Sequence, residues 1–265
     1  IIEALPEHMH RRENFALIYK DETGSTNADA AQLLHDGALP DGSALPPFFA
    51  VAAGRQTGGR GTQGRHFYSP SGSGLYMSIG WRSGLRTDEL PPATAAAAVA
   101  VRFAVGYVLG LRADIKWVND VLVDDKKVCG ILTEAAVDVE QGGLEYAVIG
   151  MGVNVQNSSF PEDIANVATS LKMEVHHNVS RNLLAAEILN CLEEQLDNIG
   201  SGEFMKEYVR RSNVIGRRIT ITQGEDMFTA DCHGIDEKGR LLVRCDNGEE
   251  KAVSSGTIRF APNSI

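Results

Sequence analysis

Cysteine is scarce in this chain. Its 265 residues include four, Cys129, Cys191, Cys232 and Cys245, with no Cys-x-x-Cys pair and no metal-ligating neighbours. That argues against a disulfide framework and a cysteine-based metal centre, and points to buried, reduced thiols in a cytoplasmic protein. Long apolar runs are also missing. The blandest, Ala93 to Val101, ends at Arg102, short of the roughly 20 residues that cross a bilayer, so no membrane association is expected. Glu3, Glu7, His8, Arg11 and Arg12 stand where a signal peptide needs an apolar core. Neither a GxxxxGK[ST] phosphate loop nor a correctly spaced dinucleotide fingerprint occurs. Net charge is −10, which disfavours nonspecific nucleic-acid binding.

Acid is absent from one stretch altogether. Between Gly42 and Thr87 there is no Asp or Glu, while Arg55, Arg60, Arg65, Arg82 and Arg86 give that stretch +5 and leave −15 on the remainder. A positive island in an acidic chain suggests a site for an anionic ligand. A length of 265 residues with 43% hydrophobic composition suits one large domain and one small one, divided as 1–212 and 213–265.

The patterning predicts a helix over Thr23–Asp36, with Thr26 as its cap, Asp29 in the first turn and Gly37 at its end. It predicts strands at Phe48–Ala53, at Leu75–Trp81 as a half-buried alternation, at Ile115–Trp117 and at Leu144–Val155. A hairpin is expected at 121–134 around Asp124, Asp125 and Lys126. Helices are expected at Pro91–Leu109, Arg181–Ile199 and Glu203–Arg211. Beyond Asn213 come short strands separated by turns, a near-neutral pattern that fits a small barrel.

Four motifs carry chemistry. Gly58-Gly59-Arg60-Gly61-Thr62-Gln63-Gly64-Arg65 combines glycines, whose N–H groups can converge on an anion, with forked arginine donors. The next residues, His66-Phe67-Tyr68-Ser69-Pro70, form an aromatic turn that could pack on a ligand. In Lys116-Trp117-Val118-Asn119-Asp120 a lysine directly follows an isoleucine strand, and burying it calls for an anion. Glycines inside apolar strands, in Lys127 to Glu134 and in Gly150-Met151-Gly152-Val153-Asn154, suggest close approach of a backbone or ligand.

Taken in order, Ser25-Thr26-Asn27, Gln56 to Arg65, Lys116 to Asp120, Lys127 to Glu134 and Gly150 to Asn154 resemble the motif series of the biotin protein ligase family. The resemblance implies an α+β fold. A mixed sheet with flanking helices, like the class II synthetases, would be followed by an SH3-like C-terminal barrel. It implies biotin and ATP as substrates, with Mg²⁺, and biotinyl-5′-AMP as the activated intermediate. A lysine of a biotin carboxyl carrier domain is the implied acceptor, and a homodimer is possible on the same grounds.

Carried over residue by residue, Lys116, Arg60 and Asp120 would be catalytic. Ser25, Thr26, Asn27, Gln56, Arg60, Gly61, Thr62 and Lys116 would hold biotin. Gly59, Arg65, Asn119, Lys127, Gly130, Ile131 and Asn154 would hold the nucleotide, with Asp120 steering Mg²⁺. Two positions depart from the family pattern. Val118 replaces a proline, which implies a looser turn, and Thr62 replaces the arginine of several members, which implies main-chain contact there. The 22 residues before Thr23 are too few for a DNA-binding domain, so a monofunctional enzyme is expected and no DNA partner. A lipoate-attaching ligase, or a regulator that binds biotinyl-AMP without catalysis, are the alternatives.

Overall fold

The structure, a computed structural model, describes residues 15–82, 90–138 and 143–260. Arg86 and the charged N-terminal positions discussed above lie outside them. Seven strands form a mixed sheet: β1 (Phe15–Lys20), β2 (Phe48–Ala53), β3 (Gly74–Trp81), β4 (Asp114–Lys116), β5 (Asp120–Val123), β6 (Lys126–Asp138) and β7 (Gly143–Asn154), in the order β1-β2-β3-β7-β6-β5-β4. Only β1 and β2 run parallel; the other pairings are antiparallel. The turn from β5 to β6 sets Asp124 and Asp125 at φ 47° and 60°, the left-handed pair that a tight hairpin requires. Strand β1 was not anticipated. Its six residues, flanked by charge, lack the strict alternation that marks a half-exposed strand.

Helix α1 (Thr26–Asp36) covers one face of the sheet, where Ala30 and Leu34 pack with Phe49, Val51 and Val148. Helix α2 (Leu90–Leu109) covers the other, against Ala50, Ala52, Met77, Ile79 and Ile149, with α4 (Arg181–Asp197) and α5 (Glu203–Arg211) behind it. A short helix, α3 (Leu171–Val175), precedes α4. With helices on both sides, β3 is buried along both faces up to Trp81. The half-buried reading of Leu75–Trp81 is corrected accordingly: Tyr76 and Ser78, the polar side of the alternation, lie at 1% and 0% exposure.

The start of α1 also differs from expectation. Ser25 occupies the cap position without a side-chain cap hydrogen bond, and Thr26 is the first helical residue. Gln56 supplies the missing acceptor. Its Oε1 receives the Thr26 N–H at 2.9 Å and the Thr26 hydroxyl at 3.1 Å. A side chain distant in sequence thus does the work of a local cap, and only tertiary structure reveals it.

Helix α2 needs a second correction. Residues Pro91–Leu109 are, by length and composition, apolar enough to cross a membrane. Here the helix is a core element, with Ala96, Ala97, Ala98, Val99, Ala100 and Val101 at zero exposure. Alanine at so many facing positions lets the sheet and α4 approach closely.

The C-terminal segment forms a separate antiparallel sheet: β8 (Arg218–Gln223), β9 (Asp226–Ile235), β10 (Leu241–Cys245), β11 (Glu250–Val253) and β12 (Thr257–Phe260), in the order β11-β10-β9-β8-β12. Ile219, Ile221, Ala230, Leu241, Val243 and Ile258 close its core. All four cysteines are free, but only Cys129 and Cys232 are buried. Burial pushes the Cys129 thiol up to about 12 and the Cys232 thiol up to about 11.

The close approach around α2 makes a prediction. Ala100→Leu, which adds three carbons where no space exists, is expected to destabilise the protein by about 1–3 kcal/mol. Urea denaturation reads this as a lowered midpoint at unchanged slope; an unaltered midpoint would refute the tight fit.

Candidate active site

The glycine- and arginine-rich segment leaves β2 and folds back as a hairpin. The Thr57 and Gly58 N–H groups donate to Thr23 and Gly24 carbonyls at 2.9 and 2.8 Å. Gly61 N–H donates to Arg65 O at 2.7 Å, and Phe67 N–H to Gly59 O at 2.9 Å. At the tip, Gln63 and Gly64 take φ of 58° and 71°, which glycine accepts and glutamine tolerates only in a turn. The N–H groups of Gly58 and Gly61 are therefore spent within the protein, and the expected anion nest is not built from them. Anion-binding capacity in this segment resides in the arginine side chains.

Gly59, expected beside the nucleotide, does not line the cavity described below. It is buried, and an added Cβ would lie 2.7 Å from Ser69 Oγ and 2.8 Å from Phe67 O. Close contact within the hairpin requires glycine there. The strand glycines give a similar result. A Cβ at Gly152 would meet the Phe67 ring at 2.5 Å, one at Gly130 would meet Lys127 Nζ at 2.8 Å, and one at Gly150 would meet Asn27 Oδ1. The close approach inferred from these glycines is real, and protein side chains make it.

The positive island divides. Arg55 pairs with Glu22 at 2.7 Å, and Arg82 donates to Leu34 O at 2.6 Å, at the end of α1. Of the four described arginines, Arg60 and Arg65 reach the cavity. Arg60 lies 3.8 Å from Glu134, a loose pairing with an acid far along the chain. Arg65 donates to Thr62 O and Thr62 Oγ1 at 3.2 and 3.0 Å, so the Thr62 side chain does take a part, by holding Arg65.

Lys116 ends β4, one residue earlier than the predicted strand, and Trp117 begins a turn whose Trp117–Val118 peptide is cis. The turn is held on three sides. Trp117 Nε1 donates to Gly239 O at 2.9 Å, Tyr208 OH donates to Val118 O at 2.8 Å, and Asn119 Nδ2 donates to Ile131 O at 2.6 Å. These bonds hold the turn that carries Val118 in place of proline. Asp120 forms an ion pair with Lys127 at 2.6 Å. Burial holds the Lys116 ammonium below its ordinary value of 10.5, opposed by the nearby Asp120 carboxylate.

Beneath α1, Asn27 is fully engaged. Its Nδ2 donates to Glu134 Oε2 at 2.6 Å and Leu132 O at 3.2 Å, and its Oδ1 accepts from Ser78 Oγ at 2.6 Å. Ser25, 6% exposed, has no side-chain hydrogen bond among the described residues and lines the cavity with a free hydroxyl.

A single cavity of about 650 Å³ gathers these groups. Ser25, Thr26, Asn27, Gln56, Arg60, Gly61, Thr62, Arg65, Lys116, Asn119, Asp120, Lys127, Gly130, Ile131 and Asn154 all line it. Of the residues that the resemblance carried over as catalytic, biotin-binding or nucleotide-binding, Gly59 is the one not in this lining. Sequence reasoning missed Phe67 as a cover for β6 and β7. It also missed Phe160, Ile164, Val167 and Ala168 on the rim and Thr257, Ile258, Arg259 and Phe260 of β12. No short-range pattern links β12 to an arginine hairpin almost 200 residues away. Among the described residues no three His, Cys, Asp or Glu side chains form a metal cage; Asp120 and Asp125 are the carboxylates in the wall.

The Asn27 network yields a test. Asn27→Asp keeps the shape but loses both amide donors and sets a carboxylate beside Glu134. A loss of about 1–3 kcal/mol is expected at neutral pH, shrinking on acidification as one carboxyl protonates, and largely reversed by adding Glu134→Gln. Equal stability of the single variant and wild type would show that the network carries no weight.

Comparison with known proteins gives a consistent picture. Residues 43–154 match the Biotin/lipoate A/B protein ligase family and residues 214–260 match the Biotin protein ligase C terminal domain. The bifunctional ligase/repressor BirA of Bacillus spizizenii is 33% identical over 90% of this chain and 72% of its own length. The biotin–[acetyl-CoA-carboxylase] ligase of Paracoccus denitrificans is 31% identical over 86% of this chain and 94% of its own. A solved biotin protein ligase from Aquifex aeolicus, in complex with biotin and ATP, superposes with a TM-score of 0.77 at 26% identity, covering 94% of this chain and all of that one.

Proposed function

Because the chain belongs to the biotin protein ligase family, we propose that its cavity joins the biotin carboxylate to AMP and that a carrier lysine then takes the biotin. The observation that carries this reading is electrostatic. Lys116, Arg65 and Arg259 line one cavity of an acidic protein, and none of them forms an ion pair among the described residues. Such a cluster is costly unless an anion arrives.

The Ser25–Asn27 and Gln56 end suits the vitamin's ring, with the free Ser25 hydroxyl offering one polar contact. The carboxylate then points toward Arg60 and Lys116. In the first step a carboxylate oxygen attacks the α-phosphorus, and the bond from that phosphorus to the bridging oxygen breaks. Pyrophosphate leaves with the electron pair. Lys116, held by the pinned turn, donates hydrogen bonds where negative charge gathers, and preplaced donors of this kind supply much of such catalysis. Magnesium neutralises phosphate charge when bound. It would enter with ATP, with Asp120 or Asp125 as a carboxylate neighbour. In the second step the amine of the acceptor lysine attacks the acyl carbon, and AMP departs. The names of relatives point to a carboxylase carrier domain as acceptor.

In this reading residues 1–212 form the catalytic unit and residues 213–265 a small SH3-like barrel. The break falls between α5 and β8, and the matched C-terminal family begins at residue 214.

Incubation of a biotin carrier domain with this protein, biotin and MgATP is expected to add one biotin mass to one lysine. Lys116→Ala and Arg60→Ala should each cut the rate on the order of 100-fold or more; labelling at wild-type rate by both would remove the mechanism. The lowered Lys116 pKa adds a pH signature. Since the ammonium is the active form, adenylate formation should fall as pH rises through a value below 10.5, and Lys116→Arg, which stays charged, should abolish that limb.

A further inference from the structure

The geometry points to His66, on the returning arm of the arginine hairpin, as the base that takes the proton of the acceptor lysine in the second half-reaction. This rests on the two-step reading of the cavity. It gives a chemical role to a residue read in the sequence only as part of an aromatic turn.

The reaction demands such a group. A free lysine side chain titrates at about 10.4, so at neutral pH it is an ammonium without the lone pair that must attack the acyl carbon. Few described side chains in the cavity wall can accept its proton. Arg60, Arg65, Lys116, Lys127 and Arg259 are cations, and Asp120 is paired with Lys127. Asp125, Tyr68 and His66 are left. A phenol keeps its proton at neutral pH, and a free carboxylate, at about 3.9, is a far weaker base than a free imidazole, at about 6.5.

The hairpin prepares the imidazole for this work. His66 Nδ1 lies 2.8 Å from Gly59 O. A carbonyl oxygen only accepts, so Nδ1 carries the hydrogen and donates, and Nε2 holds the lone pair. Among the described residues nothing bonds Nε2. His66 stands opposite Arg60 across the hairpin, and in the reading above Arg60 faces the carboxyl group that becomes the acyl carbon. His66 also lines a second cavity of about 480 Å³, which shares Gln56, His66 and Tyr68 with the first. The cation of that second cavity, Arg55, is neutralised by Glu22. His66 is exposed, so a captured proton can pass to water.

The step balances. Nε2 takes one proton from the ammonium, and the freed nitrogen pair bonds to the acyl carbon. The bond from that carbon to the phosphate oxygen breaks, and AMP leaves with the electron pair. The second proton leaves the nitrogen as the amide forms and goes to the departing phosphate.

The test starts from preformed biotinyl-AMP, so the first half-reaction plays no part. His66→Ala in the full chain is expected to cut transfer to the carrier about 100-fold at neutral pH. Wild-type transfer at low carrier concentration should rise with pH across roughly 5–8 and then level off, because the neutral ring is the active form. In the variant only lysines that have already lost the proton react, so the rate should climb toward about 10.4 without levelling. Hydroxylamine is already unprotonated at neutral pH and needs no base. Its capture of the biotinyl group from enzyme-bound adenylate should stay within about twofold of wild type. Unchanged transfer to the carrier by His66→Ala would overturn the inference. An equal loss with hydroxylamine would overturn it too, since that marks a structural effect on the cavity. Failure of the wild-type protein to release pyrophosphate from biotin and ATP would instead overturn the underlying reading of the site.

Discussion

A half-buried lysine without an ion-pair partner is expensive, and among the described residues much of the architecture keeps Lys116 in that state. Its own turn is pinned by Trp117, Val118 and Asn119, through hydrogen bonds to Gly239, Tyr208 and Ile131. The nearest acid, Asp120, is already paired with Lys127. Asp120 attracts the ammonium without closing an ion pair on it, and the turn that follows Lys116 is fixed by its neighbours. The same cost that would destabilise an ordinary core position becomes affinity for an incoming anion.

That arrangement also explains why two sheets are needed. The seven-stranded sheet places Lys116 and the strand glycines, but it leaves the hairpin tip and the turn without enough partners of their own. The C-terminal sheet supplies them, with Gly239 accepting from the Trp117 indole and Thr257 donating to Gln63. Both contacts come from turns or edges of that sheet, whose own core is closed by Ile219, Ile221 and Val243. The cation-lined wall is thus a composite surface, and the contacts that join the two sheets sit beside the cavity-lining Lys116 and Thr257.

Much of this was legible in the sequence, for local reasons. Strand Phe48–Ala53, the left-handed Asp124–Asp125 turn and the end of α1 at Gly37 follow from apolar runs and turn chemistry that act over a few residues. The motif residues converge on one cavity because each sits at a strand end or in a loop beside it. What remained hidden depends on contacts across long separations. Gln56 capping α1 is one case, and Phe67 covering Gly152 is another. The burial of both faces of β3 and the presence of Arg259 in the cavity belong with them. At Gly59 the hairpin contacts that require glycine were equally hidden, since in sequence such a glycine looks like one that faces a ligand. The β1 strand escaped because a parallel edge strand has neither a hairpin turn nor clean alternation to announce it.

Lys116 and the cavity arginines act in catalysis only if they meet the phosphates. The most direct measurement is a crystal structure of the full chain with biotin and a non-hydrolysable ATP analogue. The expected result places the α-phosphate and the biotin carboxylate within hydrogen-bond reach of Lys116 Nζ, with the vitamin's ring against Ser25 and Gln56. Phosphates lying elsewhere, with Lys116 still facing solvent, would contradict it.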